Sequence, residues 1–117
     1  MMQLFFKKQF HAAIRDGTKR TTIRRWPKAH VTAGGNSYAP GLGWLRIEGV
    51  EQVELSQLGE EDARSDGFDS HASLLRTLNQ LYPDHLTDGK QWFRIAFSMH
   101  EPIAPRAPKA KAQQPLF

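Results

Sequence analysis

The segment best equipped for chemistry is Gly-Thr-Lys-Arg-Thr-Thr-Ile-Arg, at positions 17–24. Its lysine and arginines donate charge-assisted hydrogen bonds, and its threonines add neutral hydroxyl donors. A glycine that ends a helix also exposes backbone N–H groups in the turn that follows. This combination predicts a site for a phosphate, a carboxylate or a nucleobase carbonyl. A basic edge strand with solvated cations is the alternative interpretation.

The charges of the chain are divided between two regions. From Lys7 to Lys28 there are eight basic residues and one acid, Asp16, whereas from Glu48 to Asp69 there are eight acids and one basic residue. The formal net charge is +4. A concentrated basic region is typical of proteins that bind polyanions, so nucleic acid is the expected partner. A solvated, lysine-rich face would produce the same pattern.

The composition excludes several classes of site. The chain has no cysteine, which excludes disulfides, thiolate catalysis and zinc sites built on sulfur. Its five histidines are scattered without i, i+4 spacing, so we expect neither a metal ion nor another cofactor. No apolar run approaches the ~20 residues that span a membrane. Leu4-Phe5-Phe6 is too short for the core of a signal peptide, and we expect a cytoplasmic protein with no membrane contact.

The elements around segment 17–24 follow from the apolar pattern. It predicts a short buried strand over residues 2–6 and a helix over 7–16. Gly17 ends this helix, because glycine readily adopts the left-handed conformation that closes one. The β-branched residues that follow predict a strand over 20–25. The chemically equipped segment therefore lies where a helix passes into a strand.

The middle of the chain predicts a loop followed by a long strand. Residues 27–43 are rich in glycine, proline and asparagine, which predicts a long loop with room for one short strand near Val31 or Tyr38. Residues 44–55 alternate between apolar and polar side chains, as strands do. Gly49 interrupts that alternation and predicts a bulge or bend.

Two helices and a strand are predicted after it. An acidic helix covers residues 57–65, and a second helix begins at Asp69 or Ser70 and stops at Pro83. The leucines of the second helix recur at helical spacing, which predicts a stripe packed in the core. Residues 91–99 alternate again and predict the last strand.

This order of elements favours one fold class. Strand, helix, strand, strand, helices and strand include too few helices for a parallel βαβ sheet. We therefore predict an α+β domain over residues 1–101, built around a small mixed β-barrel. Residues 102–117 combine prolines, alanines and cations, which cannot bury an apolar face. We expect them to form a disordered basic tail.

Several of these motifs resemble the ASCH domain family, a branch of the PUA-like barrels. Gly-x-Lys-x-x-Thr-x-Arg at 17–24 resembles the family signature. Residues 38–45 resemble its glycine-rich approach to the central strand, and 58–68 resemble its acidic helix and acid-Gly-Phe turn. The resemblance covers about residues 3–100. It implies a small PUA-like open mixed β-barrel, flanked by two or three short helices, with a cleft beside the signature.

The resemblance implies that this cleft binds RNA or a modified nucleoside. Trp26 and Tyr38 offer rings on which a base could stack. Trp44, with Leu45 and Ile47, is expected to lie in the core instead. The predicted binding residues are Lys19, Arg20, Thr22, Arg24, Arg25, Trp26 and Tyr38.

An enzymatic alternative also comes from the resemblance. Some small members resemble amidohydrolases that remove the acetyl group of N4-acetylcytidine with a lysine, a threonine and a glutamate. These positions correspond here to Lys19, Thr22 and Asp66. Aspartate is one methylene shorter, which sets its carboxylate about 1.5 Å further back, and a displacement of ~1 Å can cost on the order of a hundredfold in rate. Enzymatic activity therefore stays an open alternative.

Strand geometry sets a condition on that alternative. Residues three apart in a regular strand point to opposite faces. Lys19 and Thr22 can therefore share a pocket only if Lys19 belongs to the turn after Gly17 and not to the strand.

The end of the chain carries a separate motif. Gln-Gln-Pro-Leu-Phe resembles the Gln-x-x-Leu-Phe peptide that docks on the bacterial sliding clamp, with Gln113 as the anchor and Leu116 and Phe117 as the inserted side chains. Short linear motifs often arise by chance, so an unused terminus is the alternative. The sliding clamp is the second partner that the sequence predicts.

Overall fold

The computed structural model of the protein describes residues 3–99. The predicted tail, with its motif at Gln113, Leu116 and Phe117, lies outside the described residues. Within them, no helix is long and apolar enough to cross a membrane. The strands are β1 (Thr21–Trp26), β2 (Asn36–Ala39), β3 (Gly43–Val53) and β4 (Gln91–Met99), and the α-helices are α1 (His11–Arg15), α2 (Glu60–Ser65) and α3 (His71–Leu81). Two short 3-10 helices, Lys8–Phe10 and Leu55–Gln57, precede α1 and α2.

The four strands form one antiparallel sheet in the order β1-β4-β3-β2. Strand β4 lies in the interior of the sheet and has buried residues on both faces. Phe93, Ile95 and Phe97 face one side and Trp92 faces the other. β1 is an edge strand, and its interior face continues that of β4 because Thr22 pairs with Ile95.

A bulge in β3 decides which of its residues reach each face. The register with β4 shifts between Ile47 and Gly49, as the glycine predicted. Before the bulge, Leu45 and Ile47 face the barrel interior. After it, Val50 packs against that interior core while Val53 joins the core on the helix side. The single extra residue thus lets one strand contribute to both cores.

The N-terminal segment closes the open side of the sheet. A strand was predicted over residues 2–6, but the described residues 3–6 form only a single parallel bridge, between Gln3 and Tyr38 of β2. The Leu4 N–H donates to the Tyr38 carbonyl at 3.0 Å. The Phe5 carbonyl accepts instead from the side chain of Arg24 on β1, so no strand ladder continues. Residues 3–5 therefore span from one sheet edge to the other.

The helices cover the opposite face of the sheet. Ser70 caps α3 by accepting from the Ser73 N–H at 3.1 Å, as predicted. Leu74 and Leu78 are buried against β1, β3 and β4, whereas Leu81 at the end of the helix is 39% exposed. The predicted α+β class, a half-open barrel with short flanking helices, is confirmed.

Candidate functional site

A cleft of about 160 Å³ lies along the edge strand β1. It is bounded on one side by the N-terminal segment, at Phe5, Phe6 and Phe10, and on the other by α3 at Leu78 and Tyr82. Its floor carries the polar side chains Lys19, Thr22, Arg24 and Asp66. Thr22 and Arg24 lie on the interior face of β1. Because β1 is an edge strand, no further strand of the described residues lies beside them to cover their side chains.

Lys19 lies in the turn before β1. Gly17 has φ +86°, and its left-handed conformation closes α1 as the sequence predicted. The Lys19 N–H then returns to the Ala13 carbonyl at 3.0 Å, and β1 begins only at Thr21. The condition that strand geometry placed on Lys19 and Thr22 is therefore met, and both side chains line the same cleft.

Lys19 and Asp66 form a buried ion pair. The Lys19 Nζ donates to Asp66 Oδ1 at 2.7 Å and to the Asp66 backbone carbonyl at 2.9 Å, and each side chain is 4% exposed. The same ammonium lies 5.0 Å from the ring centre of Phe10 and 5.9 Å from that of Phe68. The carboxylate and two aromatic rings thus surround the lysine, and the shorter aspartate reaches it directly.

Burial moves both pKa values of this pair towards neutrality. Desolvation raises the pKa of Asp66 from 3.8 to about 6, although Lys19 and Arg24 act in the opposite direction. Desolvation also lowers the pKa of Lys19 below its ordinary 10.5, against the attraction of Asp66. Groups whose pKa values are shifted by burial in a cleft are candidates for a functional site.

Thr22 and Arg24 form a second polar pair. The Arg24 Nε donates to Thr22 Oγ1 at 2.9 Å, and a terminal nitrogen donates to the Phe5 carbonyl at 2.8 Å. The guanidinium carbon lies 4.8 Å from the ring centre of Phe6. Among residues 3–99, no hydrogen bond joins the Lys19 ammonium to the Thr22 hydroxyl. A guanidinium has five N–H donors, and the hydrogen bonds to Thr22 and Phe5 use two of them. The remaining N–H groups of Arg24 can donate to a ligand.

The other predicted basic residues lie outside the cleft. Arg20 is exposed, and its guanidinium reaches Ser65 Oγ at 3.3 Å. Arg25 points to the opposite face of β1, where it pairs with Asp88 at 3.0 Å and stacks 4.8 Å above Trp92. Alternation along β1 separates Arg25 from Arg24, and Arg25 holds the loop after α3 to the sheet.

The two aromatic residues predicted to stack a base also lie elsewhere. The Trp26 ring stacks on His30, with centres 4.6 Å apart, and packs against Phe93. Tyr38 contacts Trp44 edge-on at 5.5 Å, on the far edge of the sheet from β1. One face of Trp26 is thus already occupied by a side chain of the protein itself.

The cleft instead uses aromatic residues that sequence reasoning did not assign to it. Phe5, Phe6, Phe10, Phe68 and Tyr82 line it from three separate parts of the chain. No spacing rule links positions so far apart. The nearest sequence signal was the acid-Gly-Phe turn that ends in Phe68.

Gly67 lets the turn after α2 approach Lys19. Its φ is +88°, and a Cβ added there would lie 3.2 Å from the Lys19 Cβ. We predict that Gly67→Ala lowers the free energy of unfolding by more than the matched substitution Gly34→Ala. Gly34 has the same φ, but a Cβ added there would have no atom within 4 Å. Its substitution therefore costs only the backbone strain of placing alanine in the left-handed conformation, about 1–2 kcal/mol. Urea unfolding measures both, and equal losses would contradict the close approach.

The raised pKa of Asp66 makes stability depend on pH in a defined direction. Between pH 3.8 and about 6 the folded protein binds this proton more tightly than the unfolded chain. The stabilisation is complete below that window and is lost as pH rises through it. We predict that, as pH rises from 3.8 to about 6, the free energy of unfolding of wild type falls relative to that of Asp66→Asn. Urea unfolding at a series of pH values measures this difference. The exposed Asp69→Asn is the control that should follow wild type, and parallel curves for wild type and Asp66→Asn would contradict the prediction.

Known proteins match this chain by structure and not by sequence. No family model matches the sequence, and no curated protein matches it either. The solved structure of a hypothetical protein, PH0355, is similar with a TM-score of 0.70 and 13% identity, over 83% of this chain and 96% of that one.

Three of the similar structures come from two ASCH proteins. The ASCH domain from Lactobacillus crispatus JV V101 has a TM-score of 0.63 and 17% identity, over 75% of this chain and 68% of its own. A mutant of the ASCH protein from Zymomonas mobilis has a TM-score of 0.57 and 15% identity, over 85% of this chain and 68% of its own. At such identities the likeness concerns the fold. The resemblance predicted from the sequence is confirmed at that level: this chain has the fold of the ASCH domains.

Proposed function

We propose that this protein binds RNA, or a modified nucleoside, by taking one unpaired base into the cleft beside β1. The observation that carries the proposal is the Arg24–Thr22 pair, which faces a small cleft with aromatic walls. Proteins recognise unpaired RNA bases in this way, by stacking on their faces and hydrogen bonding to their edges.

The size and lining of the cleft support a single base as its occupant. Its volume of about 160 Å³ is below the ~300–1,000 Å³ typical of pockets for drug-sized ligands. Phenyl rings from the N-terminal segment and from the turn after α2 line it. A flat heterocycle fits such walls, because base–aromatic stacking contributes ~1–3 kcal/mol for each base.

The electrostatics support an anionic chain attached to that base. Among the described residues, Asp66 is the only acidic side chain that lines the cleft, and the Lys19 ammonium balances its charge. Arg24 and Lys7 then leave the cleft with a net positive charge. Arg24 can only donate hydrogen bonds, so it favours a base carbonyl or ring nitrogen over an amino group.

We predict that Arg24→Gln weakens the binding of single-stranded RNA hexamers by about 10- to 100-fold. The expected loss corresponds to one charge-assisted hydrogen bond. Fluorescence anisotropy with labelled hexamers of each base measures it, at low and at high salt. Arg24→Lys keeps the charge but lacks the planar fork, so we expect an intermediate affinity.

The matched control is Arg46→Gln, because Arg46 is a half-exposed arginine of β3 that lies outside the cleft. The affinity of Arg46→Gln for the RNA hexamers should stay within about twofold of wild type, because a surface ion pair contributes little free energy. Urea unfolding of every variant separates lost binding from lost folding. If folded Arg24→Gln binds as tightly as Arg46→Gln, the cleft is not the RNA site.

A second candidate function is hydrolysis of the amide of N4-acetylcytidine. The observation that favours it is the lowered pKa of Lys19, in the same cleft as Thr22. If the buried proton moves to Asp66, the neutral amine can accept the Thr22 hydroxyl proton while the oxygen attacks the acetyl carbon. The ammonium then returns a proton to the departing cytidine amine, and water hydrolyses the acetyl-threonine.

For this candidate we predict that wild type releases cytidine from N4-acetylcytidine and that Thr22→Val does not, as measured by chromatography. The rate should rise with pH, and its midpoint should fall below the ordinary pKa of lysine, because burial favours the neutral amine. Thr87→Val, an exposed threonine outside the cleft, is the control that should keep full activity. No release by folded wild type would exclude this candidate and leave the binding function untouched.

A further inference from the structure

Two apolar side chains are exposed at the mouth of the cleft. Phe5 is 63% exposed and Leu81 is 39% exposed, and both line the cleft. The other phenylalanines that line it are at least half-buried. An exposed phenyl ring loses the free energy that its burial would contribute, about 1.5–3 kcal/mol. Phe5 therefore differs from the rings that build the walls.

The backbone fixes Phe5 in this exposed position. The Leu4 N–H donates to Tyr38 at 3.0 Å, and the Phe5 carbonyl accepts from Arg24 at 2.8 Å. The Lys7 carbonyl accepts from the Phe10 N–H at 2.9 Å. Leu4 is buried, so the segment between these anchors presents the Phe5 ring outward on a held backbone. A ring presented in this way needs little reordering when it stacks on a ligand.

The charge next to Phe5 is positive. Lys7 is exposed and lines the same mouth, two residues along the chain from Phe5. The Arg24 guanidinium donates a hydrogen bond to the Phe5 carbonyl. Asp66 is buried under Lys19, so its charge is already matched. The mouth thus combines the exposed ring of Phe5 with the positive charges of Lys7 and Arg24. This combination suits a nucleotide, whose base can stack on the ring and whose phosphate can pair with a cation.

We infer that Phe5 and Lys7 form a second subsite, which binds the nucleotide next to the base held in the cleft. The neighbouring base stacks on the Phe5 ring, and the connecting phosphate lies against Lys7. The inference rests on the proposed function and extends it, because the preferred ligand becomes an RNA strand of two or more nucleotides. A free nucleoside fills the cleft alone and leaves Phe5 exposed.

A protein partner fits these observations less well. A stable protein interface buries about 800 Å² on each side and has an apolar centre. One phenyl ring and one leucine supply a small part of that area. Lys7 and Arg24 beside them are suited to phosphate, whose contacts make binding strongly dependent on salt.

The experiment compares three probes: a nucleoside, the corresponding dinucleotide and a single-stranded RNA hexamer. Their base is the one that wild type binds most tightly among the four hexamers. Isothermal titration measures each affinity for wild type, Phe5→Leu, Phe5→Tyr and Lys7→Gln. Leu86→Ala, at a leucine that is 89% exposed and outside the cleft, and Lys28→Gln, at an exposed lysine, are the matched controls.

We expect Phe5→Leu to weaken dinucleotide and hexamer binding by about 5- to 100-fold, the loss of one base–aromatic stack. Nucleoside binding should change less than about twofold, and Phe5→Tyr should restore the affinity for both RNAs. Lys7→Gln should lower the slope of log affinity against log salt by about 0.7, as one phosphate contact on a single strand is lost. Both control variants should match wild type.

Two results would overturn the inference while leaving the cleft intact. In the first, Phe5→Leu binds the dinucleotide as tightly as wild type. In the second, Phe5→Leu weakens the nucleoside and the dinucleotide equally, which would make Phe5 a wall of the first subsite. If wild type binds none of the hexamers, RNA binding and this inference both fail, and the modified nucleoside is the one proposed ligand that is left for the cleft.

Discussion

The buried ion pair between Lys19 and Asp66 is the interaction on which the cleft depends. It joins the turn before β1 to the end of α2, and the Asp66 backbone carbonyl adds a second bond to the same ammonium. Removing two charges from water is costly, and in proteins apolar side chains of similar volume often stabilise such a buried contact equally well. The pair therefore indicates that this position serves the electrostatics of the cleft as well as its packing.

The pair also divides the polar groups of the cleft into two kinds. Lys19 and Asp66 satisfy each other in the floor of the cleft, where the ammonium also lies near the rings of Phe10 and Phe68. Arg24 and Thr22 are bonded to each other but keep donors directed to the cleft. The first pair thus cancels charge in the floor of the cleft, and the second is the pair that we propose for recognition. Arg24 also donates a hydrogen bond to the Phe5 carbonyl, and this bond links the floor of the cleft to its mouth.

Local sequence rules predicted the elements well wherever the backbone forms its own hydrogen bonds. The last strand, the bulge at Gly49 and the Ser70 cap all follow from residue type and spacing. The strand expected over residues 2–6 failed, because a side chain, Arg24, takes the carbonyl that a neighbouring strand would have bonded. Propensity describes how a segment can pair, but it contains no information about a competing side chain from elsewhere.

By itself, the sequence determined the fold class and the signature segment, because apolar periodicity and a glycine turn are local properties. It therefore placed Lys19, Thr22 and Arg24 near a turn and a strand. Only the tertiary structure decided that Asp66 pairs with Lys19. It also decided that Arg25 points to the face of β1 opposite the cleft, and that the His30 ring covers one face of Trp26. It also placed Phe5 at the mouth of the cleft. These outcomes depend on segments far apart in the chain, whose packing no local spacing encodes.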